Sequence, residues 1–337
     1  MRIGVLTSGG DCPGLNAVLR SVVHHAVCDH GDEVVGLHDG WHGLLEGDHR
    51  LLDPAAVAGV LGTGGTLLGS SRIALAELPG GVELARDRAA ALGLDVIIAI
   101  GGAGTLGAAH LLARDGLPAV GVPRTVDDGI AATDVAFGFD TAVAVAGHAL
   151  DRLRTQAASR QLVVVAEVAG RRSGWVALQT GLATGADVIA VPERPFSVHA
   201  LTAAAGRGLA SGKRCTVVVV AEGATAHDAL PAAAPPAAAR PGVAELLAAE
   251  LQQRLGADVH PLPLGPAQRG GAPTAYDRVL ASRFGRYAVE TARTRAGAPA
   301  AVMTALHGEA LVPVPLTSAP GHRPVPPERY AEVGCVL

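Results

Sequence analysis

An α/β fold built on parallel sheets covered on both faces is predicted by three features of this sequence. Short runs rich in Val and Ile recur along the chain, and they are continuously apolar rather than alternating, as in strands buried on both sides. Each run ends at a turn containing Gly or Asp and is followed by a helical pattern, the order of a parallel sheet with crossover helices. The composition suits a large aliphatic core: 49% of the 337 residues are hydrophobic, yet only 3% are aromatic. At roughly 150 residues per domain, this length predicts two domains.

Taken in order, residues 3–7 form the first expected strand and lead into a helix over 13–25. Residues 95–100 form a second strand, leading into a helix over 104–113. Further buried strands are expected at 117–122, 161–168 and 215–221. Residues 224–242, ATAHDALPAAAPPAAARPG, break the pattern. An Ala/Pro-rich stretch with so little to bury is expected to be a flexible surface insertion.

Several function classes are excluded at once. The net charge of −4 gives no basic field for nucleic acid or an anionic membrane. Lysine occurs once, as Lys213, and no GK[ST] is present, so there is no Walker A loop. Cys12, Cys28, Cys215 and Cys335 lie far apart, without zinc or disulfide-framework spacing. Reduced thiols, the absence of a signal-like start and strand-sized apolar runs together predict a soluble cytoplasmic protein.

In open parallel sheets ligands bind beyond the carboxyl ends of strands, so chemistry is expected in the turns. Ser8-Gly9-Gly10-Asp11 offers backbone amides at a helix start, a ready anion site, although a tight capped turn has the same signature. Residues 102–107 satisfy G-x-G-x-x-G after a strand, a motif that also marks dinucleotide binding. Pro123-Arg124-Thr125-Val126-Asp127-Asp128-Gly129 sets adjacent acids beside a hydroxyl and an arginine, as a general base with an orienting charge requires. Gly170-Arg171-Arg172-Ser173-Gly174 and Gln268-Arg269-Gly270-Gly271 place arginines between glycines, a pattern suited to phosphate contacts.

The motifs LTSGGDCPGLNAVLR, GGTLLGSSR, IGGAGTLGAA, PRTVDDG, GFDTAV, VAGRRSG, AEG and QRGGAPTAYDRVLASRFG occur in this order. Together they resemble the 6-phosphofructokinase family over residues 1 to about 286. The resemblance implies two Rossmann-like three-layer domains with mainly parallel sheets, in a homodimer or homotetramer. It implies a donor-binding domain at 1–138 plus about 268–306 and an acceptor-binding domain at 139–267 plus about 307–337. The implied reaction is phosphoryl transfer from ATP or pyrophosphate, with Mg2+, to a hydroxyl of a sugar, sugar phosphate or nucleoside-like acceptor.

Residue by residue, Asp127 matches the base that deprotonates the acceptor, and Thr125 matches its neighbour at the transferring phosphoryl group. Gly10, Arg72, Gly102, Gly104, Thr105 and Arg124 match the donor site. Gly170, Arg171, Glu222 and Arg269 match the acceptor site, with Arg171 also among the catalytic group.

The departures from the family pattern are specific. Ala103 replaces an acid that helps hold magnesium, and Gly129 replaces the last acid of the base motif, leaving Asp128 as the metal-ligand candidate. Leu162, His260 and Pro266 replace two arginines and a histidine of the sugar-phosphate pocket, the arginines being lent by neighbouring subunits; Arg160 is a possible substitute for one. Ser21, His25, Pro54 and Ser211 stand where bacterial members often carry effector-binding arginines, while Arg154 and Lys213 remain. Gly104 resembles ATP-using members and Arg124 pyrophosphate-using ones, and Trp41 is expected to stack on adenine. A non-catalytic member of the family is the competing reading.

Overall fold

A computed structural model describes residues 1–157, 160–228, 242–294, 301–319 and 321–331. The chain begins with β1 (Arg2–Ser8), α1 (Leu15–Val23), β2 (Glu33–Leu37), α2 (Trp41–Glu46), β3 (His49–Leu52), α3 (Gly81–Ala91), β4 (Val96–Gly101), α4 (Ala103–Arg114) and β5 (Ala119–Pro123). It continues through α5 (Phe139–Ala157), β6 (Leu162–Val168), α6 (Trp175–Thr184), β7 (Val188–Ala190), β8 (Phe196–Ser197), α7 (Val198–Ala210), β9 (Cys215–Ala221) and β10 (Ala226–Asp228). Then come α8 (Val243–Leu255), β11 (Asp258–Pro263), α9 (Ala275–Thr294), β12 (Ala301–His307), β13 (Ala310–Pro315) and α10 (Pro327–Ala331).

Two compact units result. The first comprises Met1–Val126, Ile130–Asp140 and Arg269–His322; the second comprises Asp127–Gly129, Thr141–Gln268 and Arg323–Leu337. The return to the first unit therefore extends beyond the expected residue 306. The reason is the β12–β13 hairpin, whose antiparallel pairing from Val302↔Pro315 to His307↔Ala310 carries the chain onward in the same sheet.

The first unit holds a seven-stranded sheet in the order β13-β12-β5-β4-β1-β2-β3. Its interior pairings are parallel, and only the edge strands β3 and β13 run antiparallel. Helices α2, α3 and α4 join one apolar cluster with Leu6, Ile97, Ala99 and Met303. Helices α1 and α9 pack on each other, and α9 packs on β4, β5 and β12. From β1 the chain moves to β2 on one side, while β4 lies on the other. This is a switch point, where neighbouring connections part and leave a crevice at the strand ends.

The second unit holds the parallel sheet β11-β6-β9-β7 and a separate parallel pair, β10-β8. Part of the expected insertion is thus ordered: β10 pairs with β8, and its Asp228 carboxylate accepts hydrogen bonds from Ser197 Oγ (2.6 Å) and Val198 N (2.6 Å) at the start of α7. Residues 229–241 of that stretch lie outside the described residues. No described helix is long and apolar enough to cross a membrane.

Candidate functional site

Register brings the turns of the first unit together. Ser8 pairs with Gly101 and Gly101 with Pro123, so the segments after β1, β4 and β5 emerge side by side. Beyond them lies a cavity of about 580 Å³. Gly10, Arg72, Gly102, Gly104, Thr105 and Arg124, the six residues matched to the donor, all line it.

The polar end is built around two glycines. Gly9 has φ of +92°, a left-handed conformation favouring glycine. Buried Arg124 donates from Nη2 to Ser8 O (2.7 Å), and Thr105 Oγ1 donates to the same carbonyl (3.2 Å). At Gly10 the missing side chain matters for space. A methyl group there would stand 2.8 Å from Arg269 Nη1 and 3.9 Å from both Arg124 Nη1 and Arg72 Nη2. Three guanidinium groups from distant chain segments therefore converge on one backbone position. Arg269, which the family resemblance assigns to the acceptor, has its side chain beside Gly10, near those of Arg72 and Arg124.

The other end of the cavity is mostly apolar, with Glu77 also on its lining, and no sequence motif marks it. Ile73, Leu75 and Ala76 form one wall, on and beside a short 3-10 turn at Leu75–Glu77. Gly104, Gly107, Ala108 and Leu111 form the other, at the i, i+3, i+4, i+7 spacing of one face of α4. A Cβ on Gly104 or Gly107 would meet nothing within 4 Å, so these glycines keep the slot open. Trp41 is not in the cavity. It is 1% exposed within the core cluster, where the expected adenine stacking is impossible. Thr125 is buried just past Arg124.

In the second unit, Val168 pairs with Ala221, which sets Gly170 and Glu222 beside each other at the carboxyl ends of β6 and β9. Gly170 N donates to Glu222 Oε1 at 3.4 Å, and Arg171 Nε lies 3.6 Å from the same oxygen. Arg171 remains largely exposed, so its charge is open to an anionic ligand. Asp127 is half-buried, and its main-chain carbonyl accepts a hydrogen bond from Ser173 Oγ at 2.8 Å.

Asp128 is buried, with φ of +52°, and its carboxylate is ion-paired to Arg323. Arg323 also donates from Nε to Asp128 O (3.1 Å), lies 4.3 Å from the Trp175 ring centroid, and donates its backbone N–H to Gly129 O. Ser173 and Arg323 therefore fix the turn carrying Asp127. Ser173 is visible in a sequence motif, but Arg323 lies far outside any.

Leu162 and Arg160 occupy the amino end of β6, opposite the Gly170 turn of the same strand. His260 lies on β11, with Nε2 3.5 Å from Asp258, and Pro266 is exposed. Cys12 is fully buried and burial pushes its thiol pKa up, so it is no nucleophile. Magnesium needs oxygen ligands. At the two positions the family pattern suggests, Ala103 supplies none and Asp128 is committed to Arg323, so these residues do not fit a protein-built Mg2+ site. Among the described residues, one cluster could hold a metal ion: His25, His30 and Glu290, on the α1–α9 side of the first unit.

A glycine turn at a sheet switch point, ringed by guanidinium groups and continuing into an apolar slot, defines an α/β protein with a cavity suited to polyphosphates, and its second unit carries a polar turn of Gly170, Arg171 and Glu222. A family model described as phosphofructokinase matches residues 2–292. The chain belongs to the phosphofructokinase family and is a phosphotransferase acting on a sugar acceptor.

It is 55% identical to the "ATP-dependent 6-phosphofructokinase 3" of Streptomyces coelicolor, over all of both chains. It is 48% identical to the "Pyrophosphate--fructose 6-phosphate 1-phosphotransferase" of Amycolatopsis methanolica, over 98% of each. Among solved structures, phosphofructokinase from Pichia pastoris aligns with a TM-score of 0.84 and 29% identity, over 95% of this chain and 35% of the much longer yeast chain. A pyrophosphate-dependent phosphofructokinase from Marinobacter aquaeolei aligns with a TM-score of 0.81 and 25% identity, over 97% of this chain and 86% of that one.

Proposed function

We propose that the donor is ATP and that the acceptor is a sugar whose distal phosphate, where it has one, is weakly held. The observation that carries the donor assignment is the apolar slot between Ile73–Ala76 and the small face of α4, which pyrophosphate alone would leave unfilled. The arginines around Gly10 take the phosphates, and Gly104 and Gly107 leave room for a flat base.

Phosphoryl transfer depends on positioning and charge neutralisation more than on covalent chemistry by the protein. In this reading Asp127 Oδ1 or Oδ2 takes the proton from the acceptor hydroxyl, whose oxygen then attacks the terminal phosphorus as the bond from that phosphorus to the β,γ-bridging oxygen breaks and ADP leaves. Arg72, Arg124 and Arg269 neutralise the charge gathering on the phosphate oxygens. Gly170 and Arg171 hold the sugar, and Glu222 accepts hydrogen bonds from its hydroxyls. Thr125 serves as the neighbour at the transferring group. A magnesium ion arriving with ATP would be held by phosphate oxygens and water and would supply charge neutralisation there.

The acceptor assignment rests on Leu162, His260 and Pro266. Charge-assisted hydrogen bonds contribute roughly 1.5–3 kcal/mol each, so losing three phosphate ligands weakens a sugar phosphate by about a thousandfold or more. Fructose 6-phosphate is expected to bind in about the millimolar range by that arithmetic. The test is a transfer assay with ATP and pyrophosphate in parallel against fructose 6-phosphate, unphosphorylated sugars and nucleosides. Turnover with ATP and a millimolar KM for fructose 6-phosphate supports the proposal; micromolar KM for that sugar phosphate overturns the acceptor part. Turnover with pyrophosphate alone overturns the donor part, and none with any pair in folded protein favours the non-catalytic reading.

A further inference from the structure

After α1 the chain does not simply end its helix. Residues His24–Asp29 continue as a six-residue π-helical segment, a rare conformation found disproportionately at functional sites. The segment turns His25 inward, where it is 6% exposed. Both of its ring nitrogens are engaged: Nδ1 lies 2.5 Å from Asp29 Oδ2, and Nε2 lies 2.6 Å from Glu290 Oε1 of α9. His30 Nε2 reaches the same Glu290 oxygen at 3.2 Å, and the two imidazoles sit edge to face at 4.8 Å. The ligand-type atoms of His25, His30 and Glu290 all lie within 4.8 Å of one another.

We infer that His25, His30 and Glu290 form a binding site for a divalent d-block cation of the zinc class, with Asp29 orienting His25 from behind. Two imidazole nitrogens and one carboxylate oxygen are a common ligand set for such ions, at about 2.0–2.2 Å from the metal. At that radius tetrahedral ligands stand about 3.3 Å apart. The His30–Glu290 distance already meets this, and the His25–Glu290 pair needs only a small opening. A carboxylate on the far nitrogen of a ligating histidine fixes its tautomer and raises its basicity, which is the relation of Asp29 to His25. Beside His25 and Asp29 lies a cavity of about 200 Å³ whose wall also carries Cys28, Arg20 and Arg286. Magnesium and calcium prefer all-oxygen sets and are disfavoured.

The test titrates the full chain, stripped of metal by a chelator and dialysed, with Zn2+ by calorimetry, and follows Tm with and without Zn2+. One Zn2+ per chain at micromolar or tighter affinity and a raised Tm are expected. His30→Ala and Glu290→Gln should weaken binding at least a hundredfold, and Asp29→Asn by about ten- to a hundredfold. His199→Ala, on the exposed surface of α7, should bind as the unaltered chain does. No saturable binding at 0.1 mM Zn2+, or binding unchanged in both ligand variants, overturns the proposal. If those variants fail to fold, the Co2+ form of the unaltered chain decides: tetrahedral d–d bands without sulfur charge transfer support the site, and any other spectrum overturns it.

Discussion

Filling the apolar slot should separate the two donors. Gly107 lies on the cavity face of α4, and a Cβ there meets nothing within 4 Å. Gly107→Leu therefore adds a side chain to empty space without distorting the helix. Leucine favours a helix interior over glycine by about 0.5–1 kcal/mol, so Tm should hold or rise. A nucleotide base excluded from the slot forfeits the burial of roughly one apolar side chain, about 1.5–3 kcal/mol. That corresponds to a rise of about ten- to a hundredfold in KM for ATP. Pyrophosphate, reaching only the arginines around Gly10, should be little affected. The assay is initial rate against ATP and against pyrophosphate at saturating acceptor, with thermal unfolding alongside. An unchanged KM for ATP, or equal losses for both donors, would refute the reasoning.

Three further outcomes are expected. Asp127→Asn should lower kcat about 100- to 10,000-fold while keeping the Ser173 hydrogen bond to the main chain of residue 127; near-normal turnover would remove Asp127 as the base. Ala103→Asp, at the first position of α4, suits the helix dipole and supplies an oxygen ligand, so ATP-dependent rates should respond more steeply to Mg2+; an identical metal titration would count against it. Hydrogen bonds from Ser197 and Val198 lower the Asp228 carboxyl to about 2. Because the folded-state pKa is depressed, this stabilisation is complete above the ordinary carboxylate value of about 3.9 and is lost as pH falls through about 2. Asp228→Asn should flatten that part of the stability–pH curve in urea titrations, and an unaltered curve would exclude the group.

The buried strands β1, β4, β5, β6 and β9 are legible in the sequence because a strand covered on both faces must be apolar throughout. Edge strands carry no such signal. β3 and β13 are partly exposed, and β11 alternates burial, so no continuous apolar run marks them. The glycine turns were legible for a related reason, since sequence marks where a backbone must bend. The convergence of Arg72, Arg124 and Arg269 was not, because it is created by sheet register over nearly 200 residues of separation. Trp41 shows the opposite error: a large aromatic suggests a stacking surface, yet the core of this aromatic-poor chain claimed it. Arg323 anchors the turn carrying Asp127 and Asp128 from a segment with no motif at all.

The interrupted makeup of the first unit also bears on how the chain is made. Its sheet needs β12 against β5, Ala301↔Ala119, so the last central strand arrives some 180 residues after its partner. On a ribosome emitting about 5–20 residues per second, β5 waits on the order of ten seconds with an open edge. Over that interval the intervening segment can begin to fold by itself, since β6, β7, β9 and β11 pair only among themselves. Slow closure of such a long-range pairing favours aggregation of nascent chains. Overproduction at low temperature, or with a chaperone holding the β5 edge, should therefore raise the soluble yield more than any change near the termini.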